Sequence, residues 1–213
     1  MIQLLLDHGA NPTVVTNRRT AIALAARRGR RDVLELLDQR GIPHGLQGAD
    51  RLIAACALND GKEIQRLVAQ DPRAVEDVLR EGGKLLAEFA GNDNSDGVSR
   101  LLELGVPVDA RFAEGDGYWG VARDSTALHV AAWRASHASV KLLVDRGAPV
   151  NVRDAQGRTA LMLAVKACVD SYWTRRRKPD SIVAFLAAGA SADGISLPTG
   201  YDEADRLLTE TRR

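Results

Sequence analysis

Hydrophobic residues recur along this chain in short blocks that are separated by polar turns and by glycine. The block at 126–132, Thr-Ala-Leu-His-Val-Ala-Ala, is echoed 33 residues later at 159–165 by Thr-Ala-Leu-Met-Leu-Ala-Val. An earlier copy, Thr-Ala-Ile-Ala-Leu-Ala-Ala, occupies 20–26. A threonine at the start of such a block can cap the helix that follows it. Each block therefore predicts a short apolar helix that begins just after a threonine.

Each block leads to a second apolar stretch that ends in glycine, at 33–41, 140–147 and 182–189. Glycine suits the end of a helix because the residue there adopts a left-handed backbone. Polar turn formers at 154–158 then lead back to the next threonine. The repeating unit is therefore predicted to be a turn, a short helix, a tight turn and a second helix.

This unit resembles the ankyrin repeat, which has the same period and the same Thr-x-Leu-His block. The resemblance covers most of residues 1–193, is strongest over 123–165 and is degenerate in the middle of the chain. It implies an all-α solenoid of stacked helix-turn-helix units with short β-hairpin fingers. The expected division is a half unit at 1–16, then units at 17–45, 49–80, 81–110, 123–152 and 153–193, with a capping segment at 194–213.

The first unit begins inside a repeat, so its first helix is missing and Leu4, Leu5 and Leu6 lack a full partner on one side. We expect the chain to be a piece of a longer repeat array. The alternative is that this apolar face packs on another molecule, including a second copy of the chain. At the other end, Leu207 and Leu208 are expected to cover the exposed face of the last repeat.

Composition narrows the function only slightly. The formal net charge of +1 creates no global field for nucleic acid or membrane binding. No apolar run approaches the roughly 18 residues that a membrane span needs. Cys56 and Cys168 both lie in apolar helical stretches, so they are interpreted as buried thiols of a reducing compartment, the cytoplasm.

The resemblance also assigns a binding surface. In ankyrin repeats, partners contact the hairpin tips and the first-helix positions that follow the Ala-Ala pair, which together line a concave groove. Tryptophan and arginine are the residue types most enriched at binding hot spots. The alternative for the tryptophan of this surface is a structural role against the long neighbouring hairpin. The residues expected to contact a partner are Arg27, Arg28, Tyr118, Trp119, Arg123, Trp133, Arg134 and Lys166.

Arginines cluster in the second unit, whereas the segment 60–116 is rich in acidic residues. A basic end of the groove would attract an acidic partner peptide, and less favourably a phosphate backbone. The alternative is an ordinary solvated charged face. The clustered residues are Arg18, Arg19, Arg27, Arg28, Arg30 and Arg31.

Two insertions interrupt the repeat. The first, 111–122, lengthens one hairpin and carries Tyr118 and Trp119 among glycines, so it is expected to form an aromatic finger that carries function. The alternative is that these aromatics fold back to anchor the loop. The second insertion, 169–180, lies at the edge away from the hairpins, where Tyr172 and Trp173 are expected to extend a helix and pack.

Three motifs suggest chemistry that their context does not support. The segment 115–120 matches Gly-x-Gly-x-x-Gly, but it lacks the strand and helix that a dinucleotide site needs. The segment 92–103 nearly fits a calcium loop, yet its register makes it the ordinary turn between two repeat helices. His129 occupies the structural histidine position of the repeat. We therefore expect no metal, no cofactor and no catalytic residue.

The sequence thus predicts a non-enzymatic scaffold that binds a partner protein through its groove and hairpin fingers. One alternative is that the chain is the ankyrin domain of a larger enzyme or effector. Another is the binding of a small ligand at the aromatic finger. The identity of the partner is open at this point.

Overall fold

The computed structural model describes residues 1–16, 19–172 and 174–211, and all structural statements concern those ranges. Two short antiparallel strand pairs accompany the helices, Val15–Thr16 (β1) with Arg19–Thr20 (β2) and Arg111–Phe112 (β3) with Ser125–Thr126 (β4). The α-helices are Ile2–Asp7 (α1), Ala21–Arg27 (α2), Arg31–Gln39 (α3), Gly48–Leu58 (α4), Gly61–Gln70 (α5), Pro72–Arg80 (α6), Gly82–Gly91 (α7), Ser95–Glu103 (α8), Ala127–Trp133 (α9), His137–Asp145 (α10), Ala160–Asp170 (α11), Asp180–Ala187 (α12) and Asp202–Thr211 (α13).

The helices stack as a solenoid. Within each unit a first helix packs on a second, as α7 does on α8, α9 on α10 and α11 on α12. Between units, the first helices α7, α9 and α11 contact one another in order, and so do the second helices α8, α10 and α12. One apolar core built largely from alanine, leucine and valine runs through the stack from Ile22 to Leu208. The predicted all-α solenoid is confirmed.

The segment that was expected to be a two-helix unit at 49–80 forms three helices. Asp71 accepts a hydrogen bond from the backbone N–H of Ala74 at 3.1 Å, and Pro72 occupies the first helical position. Both features favour the start of a helix. The resulting α6 buries Ala74 and Val78 and packs on α4. A helix therefore precedes α7 at the place where a hairpin finger was expected.

Glycines let α7 approach its neighbours closely. A Cβ on Gly83 would lie 2.0 Å from the backbone oxygen of Arg111, and one on Gly91 would lie 2.8 Å from Cγ1 of Val130. Real Cβ atoms do not come that near other heavy atoms, so these positions exclude any side chain. The base of the hairpin β3–β4 and the helix α9 therefore lie directly against the α7 backbone.

Asn94 joins three units. Its side-chain oxygen accepts the backbone N–H of Gly97 and so caps α8, while its Nδ2 donates to the carbonyl oxygens of Gly29 and Ala57, each at 2.9 Å. Phe89 lies against Gly29, which has a φ of +62° and no room for a Cβ. The segment that resembles a calcium loop therefore serves as a helix cap. It also connects the second unit directly with the fourth.

The two ends of the stack differ. At the C-terminal end, α13 packs on α12, where it buries Ala204 and Leu208 and leaves Leu207 half-buried. At the N-terminal end, α1 has no buried residue, and Leu4 and Leu5 are more than half exposed. Among the helices in the described ranges, none is both long and apolar enough to cross a membrane.

His129 links two neighbouring turns of the solenoid. Its Nδ1 accepts the backbone N–H of Thr126 at 3.2 Å, and its Nε2–H donates to the carbonyl oxygen of Arg158 at 3.1 Å. The ring is almost fully buried. Burial lowers the pKa of His129 below its usual value, so the folded protein favours the neutral ring.

We expect His129 to make the fold less stable in mild acid. Because its pKa is lowered in the folded state, the unfolded chain binds the proton more readily, and stability present above about pH 6.5 is lost as the pH falls. Urea unfolding of the wild type and of His129→Gln at pH 7 and pH 5 measures this. The loss of unfolding free energy on acidification should be smaller in the variant. An equal loss in both proteins would show that His129 is not responsible.

We also expect Gly83→Ala to destabilise the protein by about 2 kcal/mol or more, because the new Cβ must displace the backbone at Arg111. Gly117→Ala is the matched control, since a Cβ there meets no atom within 4 Å, and its effect should stay within about 0.5 kcal/mol. Denaturant unfolding measures both variants. Similar stability of the two would refute the claimed close approach.

Candidate partner-binding site

The insertion 111–122 forms a folded finger, and we use that name for it below. The strand pair β3–β4 makes its base, and a second bridge joins Asp116 to Val121 through two backbone hydrogen bonds of 2.9 Å. A single 3-10 turn, Gly117–Trp119, closes the tip. Phe112 and Val121 are buried in a small apolar cluster with Ala87 and Val130. The finger is therefore anchored to α7 and α9.

The two aromatics at the tip have different surroundings. Tyr118 is 87% exposed, whereas Trp119 is 37% exposed. Their rings meet edge to face with centroids 4.9 Å apart, a preferred aromatic geometry. The guanidinium of Arg134 lies 5.6 Å from the Trp119 ring centroid. Trp119 thus covers an inner arginine, and Tyr118 points to solvent.

Trp133 lies against the finger. Its indole N–H donates a 2.8 Å hydrogen bond to the carbonyl oxygen of Trp119, and its ring is half-buried. The exposed Lys166 places its Nζ 5.7 Å from the Trp133 ring centroid. These contacts correspond to the structural alternative for Trp133, and they also join Tyr118, Trp119, Trp133 and Lys166 into one continuous surface. We call these four residues the finger surface.

The sequence led us to expect Arg134 on an exposed face of the groove, but the structure places it inside the protein. It is 6% exposed, and its Nη1 lies 3.7 Å from Oε2 of the buried Glu88. Burial lowers the pKa of Arg134, the nearby Glu88 and Asp116 raise it, and the positive charge of Arg28 lowers it further. The finger folds over this side chain because Trp119 packs on it, a contact that the repeat pattern cannot reveal.

The adjacent Arg27 and Arg28 of the second unit differ in their exposure to solvent. Arg27 is largely buried and binds two carboxylates, Asp50 at 2.5 Å and Glu81 at 2.7 Å. It therefore ties α2 to α4 and to the start of α7. Arg28 is exposed, and among the described residues no carboxylate lies within ion-pair distance of it. Arg28 is thus the one of the pair that a partner can reach.

The other predicted contacts lie farther out or outside the described ranges. Arg123 is exposed on the return arm of the finger, where its carbonyl oxygen accepts the backbone N–H of Ala155. Arg18 and Trp173 fall outside the described residues. In the second insertion α11 ends at Asp170, so Tyr172 does not extend that helix as expected, and its side chain is 88% exposed.

A cleft of about 210 Å³ opens beside the finger. It was not predicted, because its walls come from α2, α7 and α9, and the contact between α2 and α7 skips a unit of the sequence. No sequence motif links the residues that line the cleft, because the approach of α2 to α7 brings them together. The lining residues are Arg28, Arg30, Glu88, Asn92, Trp119 and Arg134.

Other site chemistry is sparse in the part of the chain that the structure describes. No group of three or more His, Cys, Asp or Glu side chains converges there as metal ligands would. The segment 115–120 forms the tip and the return of the finger rather than the start of a helix. Its geometry is therefore unlike the strand-to-helix loop that cradles a pyrophosphate.

Comparison with known proteins matches the repeats seen in the structure. A family model described as ankyrin repeats, in three copies, matches residues 87–190. Ankyrin repeat and SOCS box protein 11 of Mus musculus is 43% identical over 70 residues, which are 33% of this chain. The chain covers only 19% of the length of that relative. The similarity to that relative therefore concerns only a part of each protein.

We expect Trp133→Phe to loosen the finger while keeping an aromatic ring in place. The variant removes the indole N–H that binds the Trp119 carbonyl, an interaction worth about 1 kcal/mol. Hydrogen–deuterium exchange should become faster at the backbone amides of Trp119 and Val121. The amides of the distant hairpin β1–β2 serve as the internal control and should not change. Unaltered exchange in the finger would contradict the anchoring role.

Proposed function

This chain is an ankyrin-repeat protein, and we propose that it is a non-enzymatic scaffold that binds a partner protein through the finger surface. Ankyrin repeats are protein–protein interaction modules. The observation that carries the proposal is the finger itself, which is fixed at its base by buried Phe112 and Val121 yet presents Tyr118 almost fully to solvent. The exposed Tyr118 ring adjoins Trp119 and Trp133, and a contiguous aromatic patch of this kind marks a protein interaction site.

The arrangement favours tight binding for a physical reason. Association costs free energy when side chains and loops must be ordered at the interface. Here the hydrogen bond between Trp133 and Trp119 and the two backbone bonds between Asp116 and Val121 order the loop before any partner arrives. Little conformational entropy then remains to be lost on binding.

We assign the predicted residues two roles. Tyr118, Trp119, Trp133 and Lys166 form the contact surface, with Arg28 and Arg123 at its margins. Arg27 and Arg134 support that surface from within, because both are largely buried and face carboxylates of the chain. The predicted contact residues that are charged and exposed, Arg28, Arg123 and Lys166, are all basic, and this favours an acidic partner although Glu114 and Asp124 are exposed beside them.

The proposed role is not catalytic. Burial raises the pKa of the Cys56 thiol to about 12 and that of the Cys168 thiol to about 11, which disfavours the nucleophilic thiolate. Both ring nitrogens of His129 are engaged in hydrogen bonds. Two free buried thiols also suit a reducing compartment, and on that basis we propose a cytoplasmic location.

Tyr118→Ala tests the proposal. Proteins captured from a lysate of the source organism by the immobilised wild type are identified by mass spectrometry, and the affinity of a purified partner is then measured by calorimetry. Loss of a central aromatic contact costs at least about 2 kcal/mol, so affinity should fall about 30-fold or more. Tyr118 is 87% exposed and its ring contacts Trp119 only at the tip surface, so the fold should be unchanged.

Tyr172→Ala is the matched control, because Tyr172 is equally exposed but lies in the second insertion, after the C-terminal end of α11. It should bind the partner as the wild type does. If Tyr118→Ala and Tyr172→Ala bind the partner equally well, the partner does not use the finger surface and the proposal fails.

A further inference from the structure

The cleft beside the finger has an excess of positive charge. Its lining includes three guanidinium groups but one carboxylate, that of Glu88. Arg30 is neutralised by a bidentate pair with Asp32, with hydrogen bonds of 2.8 and 2.7 Å. Arg28 and Arg134 are then balanced by Glu88 alone within the lining, and Asp116 acts on Arg134 from outside it. With Arg30 paired, positive charge within the lining therefore exceeds negative charge by one, and Asp116 offsets part of this excess from outside the cleft.

Arg134 also has an unused hydrogen-bond donor. Its Nε is buried and has no acceptor among the residues that the structure describes. Glu88 does not satisfy it, because the nearest contact of that carboxylate is 3.7 Å from Nη1, beyond hydrogen-bonding distance. A buried donor left unpaired loses its hydrogen bond to water without replacement, so an acceptor that enters the cleft and reaches it would recover this cost.

Hydrogen bonds hold the backbone of two walls of the cleft in place. The side-chain amide of Asn92 donates to the carbonyl oxygens of Arg28 at 2.9 Å and Glu88 at 3.0 Å, so it fixes α2 against α7. Trp119 forms a further wall and is held by Trp133. The backbone of Arg28 is therefore held beside α7, and the charge of Arg28 acts on Arg134.

The size of the cleft indicates how much of a ligand enters. At about 210 Å³ it is smaller than the roughly 300–1,000 Å³ typical of pockets that enclose a whole small molecule. Its lining residue Trp119 contacts the exposed ring of Tyr118 at the tip of the finger. A single side chain that projects from a larger molecule fits these dimensions better than a free metabolite.

From these observations we propose that the cleft receives one carboxylate side chain, an aspartate or glutamate, of the partner protein. The carboxylate accepts hydrogen bonds from Arg28 and Arg134, the strongest kind of pairing available to a guanidinium. Trp119 shields the pair from water while Tyr118 contacts the residues of the partner that flank the acid. This inference rests on the proposed scaffold function and specifies which chemistry of the partner is recognised.

The test uses the full chain and two blocked peptides that differ at one residue, glutamate in one and glutamine in the other. The reporter is the ¹⁵N-edited signal of the Arg134 Nε–H, assigned by its loss in Arg134→Lys. Millimolar glutamate peptide should shift this signal in a saturable manner, and the glutamine peptide should not. A shift of equal size with both peptides, or no shift with either, overturns the proposal.

Arg28→Gln should weaken the binding of the glutamate peptide about tenfold, because it removes one charge-assisted partner of the carboxylate. Arg80→Gln is the charge-matched control, since Arg80 is exposed on α6 outside the cleft. Its affinity should equal that of the wild type. An equal loss in the two variants would show only a general charge effect and would overturn the assignment of the cleft.

Glutarate distinguishes a protein side chain from a free carboxylate. It should bind more weakly than the glutamate peptide, because it lacks flanking residues to contact Tyr118, and equal affinity would overturn the choice of a protein ligand. The experiments can refute the proposed carboxylate site in the cleft without refuting the proposed scaffold function. Capture of a partner that depends on Tyr118, without any peptide-induced shift at Arg134, refutes the cleft alone.

Discussion

The close approach of α7 to the elements around it is the constraint on which the rest of the structure depends. Gly83 and Gly91 leave no space between the α7 backbone and, respectively, the base of the finger and α9. That proximity buries Phe112 and Val121 against the helices. The finger is consequently not a loose loop but a part of the solenoid, and its tip inherits the rigidity of α7. Everything proposed about binding follows from this packing.

A second contact shapes the surface beside the finger. The ends of α2 and α7 meet at Gly29. The ring of Phe89 packs against Gly29, and the side-chain amide of Asn94 donates a hydrogen bond to its carbonyl oxygen. Arg28 is thereby brought close to Arg134, although two whole units, 49–80 and 81–110, lie between theirs in the sequence. The cleft thus exists only because the middle of the chain departs from the ideal repeat. This irregular packing gives the groove a cleft that a regular ankyrin array would lack.

The sequence predicted the regular parts of this protein and missed what depends on irregular packing. The blocks at 126–132 and 159–165 gave α9 and α11, and the extra residues at 111–122 gave a finger with an exposed tip. The helix α6 was missed because its charged sequence does not follow the repeat template, although Asp71 and Pro72 marked its start. The burial of Arg134 and the cleft could not be predicted, since each requires the finger or α2 to lie against residues distant in the chain.

The direct link between the second and the fourth units has a consequence for how the molecule comes apart. In a solenoid whose repeats touch only their neighbours, units can melt one at a time from the ends. The hydrogen bonds from Asn94 to Gly29 and Ala57 cross that boundary and bind three units into one block. Pulled from its ends, this protein would lose those three units in a single step, so the count of mechanical unfolding events would be smaller than the count of repeats.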